Sequence, residues 1–208
     1  MKIIQNIYEC AVCHHKSTYD DILSYARLGY PDFDGKPKDA SLISLGIKEC
    51  PHCHYANYDI TKTISPLFMN NLELWQKDKK AQELLKIQNN DLRKILLIAW
   101  QYQEEKNYYN AYQMYLKASW VCDNKDDEKA YRYEALRIFD EHILKNLSTE
   151  IIRFSETLRL EGYFKDARDV LDCFENIFDE KEKEVCEKIK KYITSQDTKR
   201  HNLEEILG

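Results

Sequence analysis

Two pairs of cysteines, Cys10-Ala11-Val12-Cys13 and Cys50-Pro51-His52-Cys53, constrain this chain more than any other feature. Cysteines separated by two residues grip one face of a tetrahedral ion from a tight knuckle, and a second such pair completes four sulfur ligands. The spacing predicts one structural Zn²⁺ held by Cys10, Cys13, Cys50 and Cys53. Four thiolates leave no open coordination position, so the metal is expected to hold a fold together and to carry no catalysis.

Each pair is followed by a histidine, His14 and His54, and so also matches the C-x-x-C-H pattern of covalent haem attachment. Haem attachment and a disulfide pairing of the same cysteines both belong to exported chains. Met1 to Tyr8 lacks the apolar core and small-residue cleavage site of an export signal. The expectation is therefore zinc and no haem, in a reducing cytoplasm where Cys122, Cys173 and Cys186 serve as small hydrophobic residues. Histidines crowd the same stretch (His14, His15, His52, His54), and exchange of one cysteine ligand for one of them stays open.

The remaining punctuation divides the chain. All four prolines and three of the five glycines precede residue 67. Beyond it only Gly162 interrupts before the terminal Gly208, which leaves the rest free to be helical. The reading is mainly α: a small zinc ribbon over 1–66, a helical domain over 67–193 and a polar tail over 194–208 that is loosely held. The longest apolar run, Ile95 to Trp100, is far short of the ~20 residues that span a bilayer.

Within the ribbon, Ile3, Ile4, Ile7 and Tyr8 form a strand ahead of the first knuckle, and Ile43, Leu45 and Ile47 alternate with polar residues ahead of the second. Between them Thr18 and Asp21 resemble a capping box, and Ile22, Leu23 and Ala26 make a helical stripe ended by Gly29 and Pro31. Helices are expected at 72–87, 92–105, 109–121, 127–145, 149–161, 164–178 and 181–193, with short connections that make hairpins. One hairpin carries small residues at Ala99, Ala111 and Ala118, at the separations of twelve and seven seen in tetratricopeptide repeats, with Tyr102 and Tyr115 beside them. A weaker copy places Ser155, Ala167 and Leu171 correspondingly, across the turn Gly162 to Ala167.

These features together resemble the DUF2225 proteins, an uncharacterised bacterial family that pairs N-terminal cysteine knuckles with tetratricopeptide-like helices. The residues that carry the likeness are Cys10, Cys13, Pro31-Asp32-Phe33-Asp34, Lys36-Pro37 and Cys50 to Ala56. His14 and His54 stand where the family usually has glycine. The resemblance implies no established activity.

No nucleophile elbow, phosphate-binding glycine loop, metalloprotease helix or dinucleotide fingerprint occurs, and an enzyme is not expected. Net charge is −5, and the first 66 residues hold 7 Lys and Arg against 8 Asp and Glu. Large basic surfaces are therefore lacking, which places a nucleic-acid-associated role, with the ribbon and some of the fifteen tyrosines touching RNA or single-stranded DNA, second to an adaptor that binds a protein or peptide. A basic patch at Lys36 and Lys38 would serve the former. For the latter, Arg93, Trp100 and Arg159 are the candidate contacts on the inner surface of the helices, with burial of Trp100 favoured over exposure, and Asp32 and Asp34 are candidates in the Pro-Asp-Phe-Asp-Gly turn.

Overall fold

The computed structural model describes residues 2–24, 29–39, 43–62, 64, 79–142 and 148–204. The described part is mostly helical, with two small antiparallel sheets and a cysteine cluster. Strand β1, Lys2–Glu9, pairs with β2, Lys16–Ser24, and the two-residue strands β3, Lys48–Glu49, and β4, Ala56–Asn57, pair with each other. Each cysteine knuckle is thus the turn of its own hairpin. Seven helices follow among the described residues: α1 Lys79–Leu85, α2 Asn90–Glu104, α3 Tyr108–Val121, α4 Lys125–His142, α5 Ser148–Leu160, α6 Phe164–Cys173 and α7 Glu180–Thr194.

Two expectations for the first third are corrected. The segment read as a helical insert is strand β2, because its alternation serves a sheet: Ser17, Tyr19 and Asp21 share its more buried face. Asp21 caps nothing; its carboxylate accepts from Asn6 Nδ2 at 2.7 Å on the facing strand, from the Tyr8 hydroxyl, and pairs with Lys48 Nζ at 2.9 Å. A cross-strand polar cluster of this kind looks like a helix cap when only its own side is visible. Similarly, Ile43 to Ile47 bends through a turn at Gly46, and only Lys48 and Glu49 are strand. Ala26, the expected helix start at Leu72, and Ile206 with Leu207 lie outside the described residues.

The helices begin where local chemistry allows. Asn89 accepts from the backbone N–H groups of Asp91 and Leu92 at 3.1 Å each, and Asp179 with Glu182 closes a reciprocal capping box. α2 buries Leu92, Ile95, Leu96, Leu97, Ile98 and Ala99, and α3 buries Ala111, Tyr112, Leu116 and Ala118 against it. Each such aliphatic side chain contributes ~1.5–3 kcal/mol on burial, so this hairpin is a major part of the core. Where α5 meets α6, Ser155 Oγ donates to the Ala167 carbonyl at 2.7 Å, an approach that two small residues permit.

The cysteine hairpins do not stand apart from the helices. Tyr55, Ala56 and Ile60 are buried in the same apolar cluster as Ile95, Leu97 and Ile189, and β4 lies against α2. The segment after α7 also departs from expectation. Residues 197–204 fold back and bond to the Pro31–Asp34 turn, as detailed below, so the described part of the tail is docked.

Candidate metal centre

The two knuckles are copies of each other forty residues apart. In the first, Cys10 N–H donates to His15 O at 3.0 Å and His14 N–H to Cys10 O at 2.9 Å; in the second, Cys50 N–H donates to Tyr55 O at 2.8 Å and His54 N–H to Cys50 O at 2.9 Å. These bonds curl the chain so that both cysteines of a pair face inward. The curl requires a left-handed residue after the second cysteine, and His14 and His54 have φ of 59° and 60°. Glycine would hold that conformation at lower cost; for a residue with a Cβ the left-handed region costs ~1–2 kcal/mol. Each imidazole finds a partner in the glutamate ahead of its knuckle: His14 Nδ1 lies 3.2 Å from Glu9 and His54 Nδ1 2.8 Å from Glu49. His15 and His52 stack across the two knuckles with ring centroids 5.4 Å apart.

The curled knuckles bring the four sulfurs together. Cys10 and Cys53 Sγ are 3.7 Å apart, Cys13 and Cys50 Sγ are 3.6 Å apart, and all four lie within 4.8 Å of one another. A tetrahedral ion with bonds of about 2.3 Å to sulfur needs ligands about 3.8 Å apart, so the cluster has the size of one thiolate-bound ion. An all-sulfur set suits soft metals and is wrong for magnesium or calcium. Among the described residues this is the one group of three or more potential ligands close enough for an ion.

Electrostatics favour the same conclusion. Burial raises the Cys10 and Cys53 thiols above their usual range, against the pull of backbone N–H groups from Val12, Cys13 and Tyr55. At Cys50 burial is outweighed by backbone N–H groups of Cys53 and His52 and by the Cys13 thiol, and its thiol is held below the usual range. A divalent cation bound there would supply positive charge and displace the thiol protons. Cys186, outside the cluster, is simply buried, and its thiol is pushed up to about 12.

The candidate contact residues are not assembled into one surface. Arg93, on α2, pairs with Glu49 at 3.1 Å and donates to the Ile87 carbonyl at 3.2 Å, tying the second knuckle to the helices. Trp100 is half-buried and lines a groove with Leu84, Leu96 and Tyr115. Arg159 is 0% exposed beneath residues 197–199, whose Asp197 and Lys199 carbonyls it donates to, and it bonds to both oxygens of Glu156 at 2.6 and 2.7 Å. Asp34 is equally buried, accepting from Trp120 Nε1 at 3.0 Å and pairing with Arg200 Nη2 at 2.8 Å, with Asp32 3.5 Å from Arg200 Nε. The expected basic patch is also spoken for in part, since Lys38 pairs with Glu204.

Sequence reasoning passed over Glu9, Glu49, Trp120 and Arg200. Glu9 and Glu49 had a visible signal, since glutamate immediately precedes the first cysteine of both knuckles. Arg200 and Trp120 had none, being 166 and 86 residues from the aspartate they bind. No family model, curated protein or solved structure matches the chain.

Proposed function

We propose that the protein is a zinc-stabilised adaptor, in which Cys10, Cys13, Cys50 and Cys53 hold one Zn²⁺ and the helices receive a protein or peptide partner. The zinc is structural on this reading: four sulfurs fill its coordination sphere, and Cys10, Cys50 and Cys53 are buried. Its role is to join the hairpin of β1 and β2 to the second hairpin, whose strands are only two residues each, and Glu49 and Arg93 pass that rigidity to α2. Tetratricopeptide-like packing belongs to the same proposal, supported by the burial of Ala99, Ala111 and Ala118 and by the contact between Ser155 and Ala167. A cytoplasmic location goes with it, with no helix among the described residues long and apolar enough to cross a membrane.

The observation that carries the partner role is a groove of about 570 Å³ between α4, α5 and α6. Leu136, Phe154, Leu158 and Val170 line it, and Tyr133 and Tyr163, at 55% and 44% exposure, stand at its edge. Apolar floors rimmed by exposed tyrosine are the composition of surfaces where a few aromatic residues carry much of the binding energy. A photo-crosslinker placed at Tyr163 in the host should capture one discrete protein that a crosslinker at Lys181 does not, and Tyr133→Glu should abolish that capture without lowering the melting temperature. Capture of nucleic acid, lost steeply with salt, would favour the nucleic-acid role instead.

A further inference from the structure

Beyond α7 the chain turns at Gln196, whose φ is 51°, and runs back over α5 and the Pro31–Asp34 turn. Its contacts follow the logic of peptide recognition. Arg159 Nη1 donates to the Asp197 carbonyl and Nη2 to the Lys199 carbonyl at 2.7 Å, while Glu156 holds the guanidinium in place from behind. Arg200 then enters an acidic cleft, with Asp34 at 2.8 Å, Glu128 at 3.2 Å and Asp32 at 3.5 Å. Past it the backbone pairs in antiparallel fashion: Phe33 N–H donates to His201 O and Leu203 N–H to Pro31 O, both at 3.1 Å. The His201 ring stacks on Tyr192 at 3.8 Å.

We propose that this cleft is a binding site for an extended, arginine-bearing peptide segment, and that residues 197–204 occupy it in cis as a displaceable ligand. It shares no residue with the groove between α4, α5 and α6 and does not depend on the adaptor reading. The main chain is read by Arg159 and by the two backbone hydrogen bonds that flank the bridge of Asn202 to Asp32, which any extended segment can make. Specificity lies in the acidic cleft: Asp34 takes Nη2 and Glu128 takes Nη1, with Asp32 as a looser ion pair beside Nε. The two carboxylates that accept hydrogen bonds thus sit at the two ends of a planar guanidinium, a span that a compact lysine ammonium does not match. The ligand's pattern is therefore an arginine preceded, one and three residues upstream, by carbonyls free to accept.

Displacement is favoured by how little the tail contributes besides polar contacts. Leu203 is its one aliphatic side chain packed on the core among the described residues, so its local opening lies below global unfolding in free energy. Opening alone leaves Asp34 and Arg159 short of partners in the interior, which is costly. A segment offering the same groups removes that cost, and so exchange outcompetes mere release.

The test uses a fluorescein-labelled synthetic peptide with the sequence of residues 195–204, followed by anisotropy, against the full chain and its Arg200→Ala variant. The variant, its own tail weakened, should bind the peptide at least tenfold more tightly than the unaltered chain, whose tethered tail competes at high effective concentration. Replacing the peptide's arginine with lysine should weaken capture at least tenfold. A folded variant that ignores the peptide, or binds the lysine form equally well, overturns the proposal. If Arg200→Ala does not fold, hydrogen exchange of the unaltered chain decides: the Phe33 and Leu203 amides should exchange well ahead of the α5 amides, and exchange only with global unfolding would overturn it.

Discussion

The cysteine cluster and the cleft under residues 197–204 both draw ionisable groups into the interior, yet they are balanced differently. Under the tail, Asp34 and Glu156 meet Arg200 and Arg159, so positive and negative groups arrive together in the same chain. At the cluster four thiols meet one another, and burial is the largest cause that raises those of Cys10 and Cys53 above their usual range. One region closes with its own residues; the other has the size and donor set of a thiolate-bound ion. The secondary structure differs as well: the second knuckle has strands of two residues beside it, while α5 and α7 carry the tail cleft on several helical turns.

That contrast fixes which substitutions should matter most. Cys50→Ala should cost the zinc and with it the order of residues 2–24 and 43–62, since a structural zinc contributes ~10–16 kcal/mol in small zinc-finger peptides. Hydrogen exchange should show those residues unprotected and α2 to α7 still protected, with a lower melting temperature because Tyr55 and Ile60 leave a shared core. Loss of helical circular dichroism in step with the zinc would dissolve the contrast into one cooperative unit. Next in size is Glu156→Ala. It strands Arg159 without its carboxylate and should cost ~3–5 kcal/mol in urea unfolding. Burial, with a smaller push from the Asp34 charge, raises the Glu156 carboxyl to about 7 in spite of Arg159. The double variant Glu156→Leu with Arg159→Met should recover most of the loss; if it does not, the tail contacts of Arg159 outweigh its ion pair.

How much of this could be read from the sequence depends on the range of the interaction. Metal-ligand spacing is local, and so the four cysteines were legible. Helix periodicity is local as well: α2 was expected over 92–105 and runs Asn90–Glu104, α3 was expected over 109–121 and runs Tyr108–Val121. β2 was misread because Asp21 takes its partners from β1 and from Lys48, which turn an apparent cap into a cross-strand contact. The docking of the tail was invisible for the same reason in stronger form. Nothing near Arg200 says that an aspartate 166 residues away will bind it, and the polar composition of 194–208 pointed to a loose segment. Arg159 is expected on the inner surface of the helices, but only the structure shows that Glu156 and the Asp197 and Lys199 carbonyls take up its guanidinium.

Smaller effects probe the joint between the two regions. Arg93→Ala removes the pair that links Glu49 to α2 and should cost ~1–2 kcal/mol, since the arginine is partly exposed while Glu49 is left buried. The same change should speed zinc loss to a chelator if the joint steadies the second knuckle; an unchanged rate would mean the hairpin is rigid by itself. The least effect is expected from Asp21→Asn. Hydrogen bonds from Asn6, Tyr8 and Lys48 hold the Asp21 carboxyl at about 2, below its unfolded value of about 3.9. Its contribution is therefore complete above about pH 4 and disappears as pH falls toward 2. The difference in melting temperature between the two chains should shrink across that window; a constant difference would place the effect in packing.

X-ray absorption at the zinc edge of gently purified protein, with metal content measured on the same sample, tests the central claim most directly. The account predicts one zinc per chain with four sulfur neighbours at about 2.3 Å and no lighter ligand. Substoichiometric zinc, iron in its place, or a nitrogen neighbour from one of the adjoining histidines would contradict a closed site of Cys10, Cys13, Cys50 and Cys53.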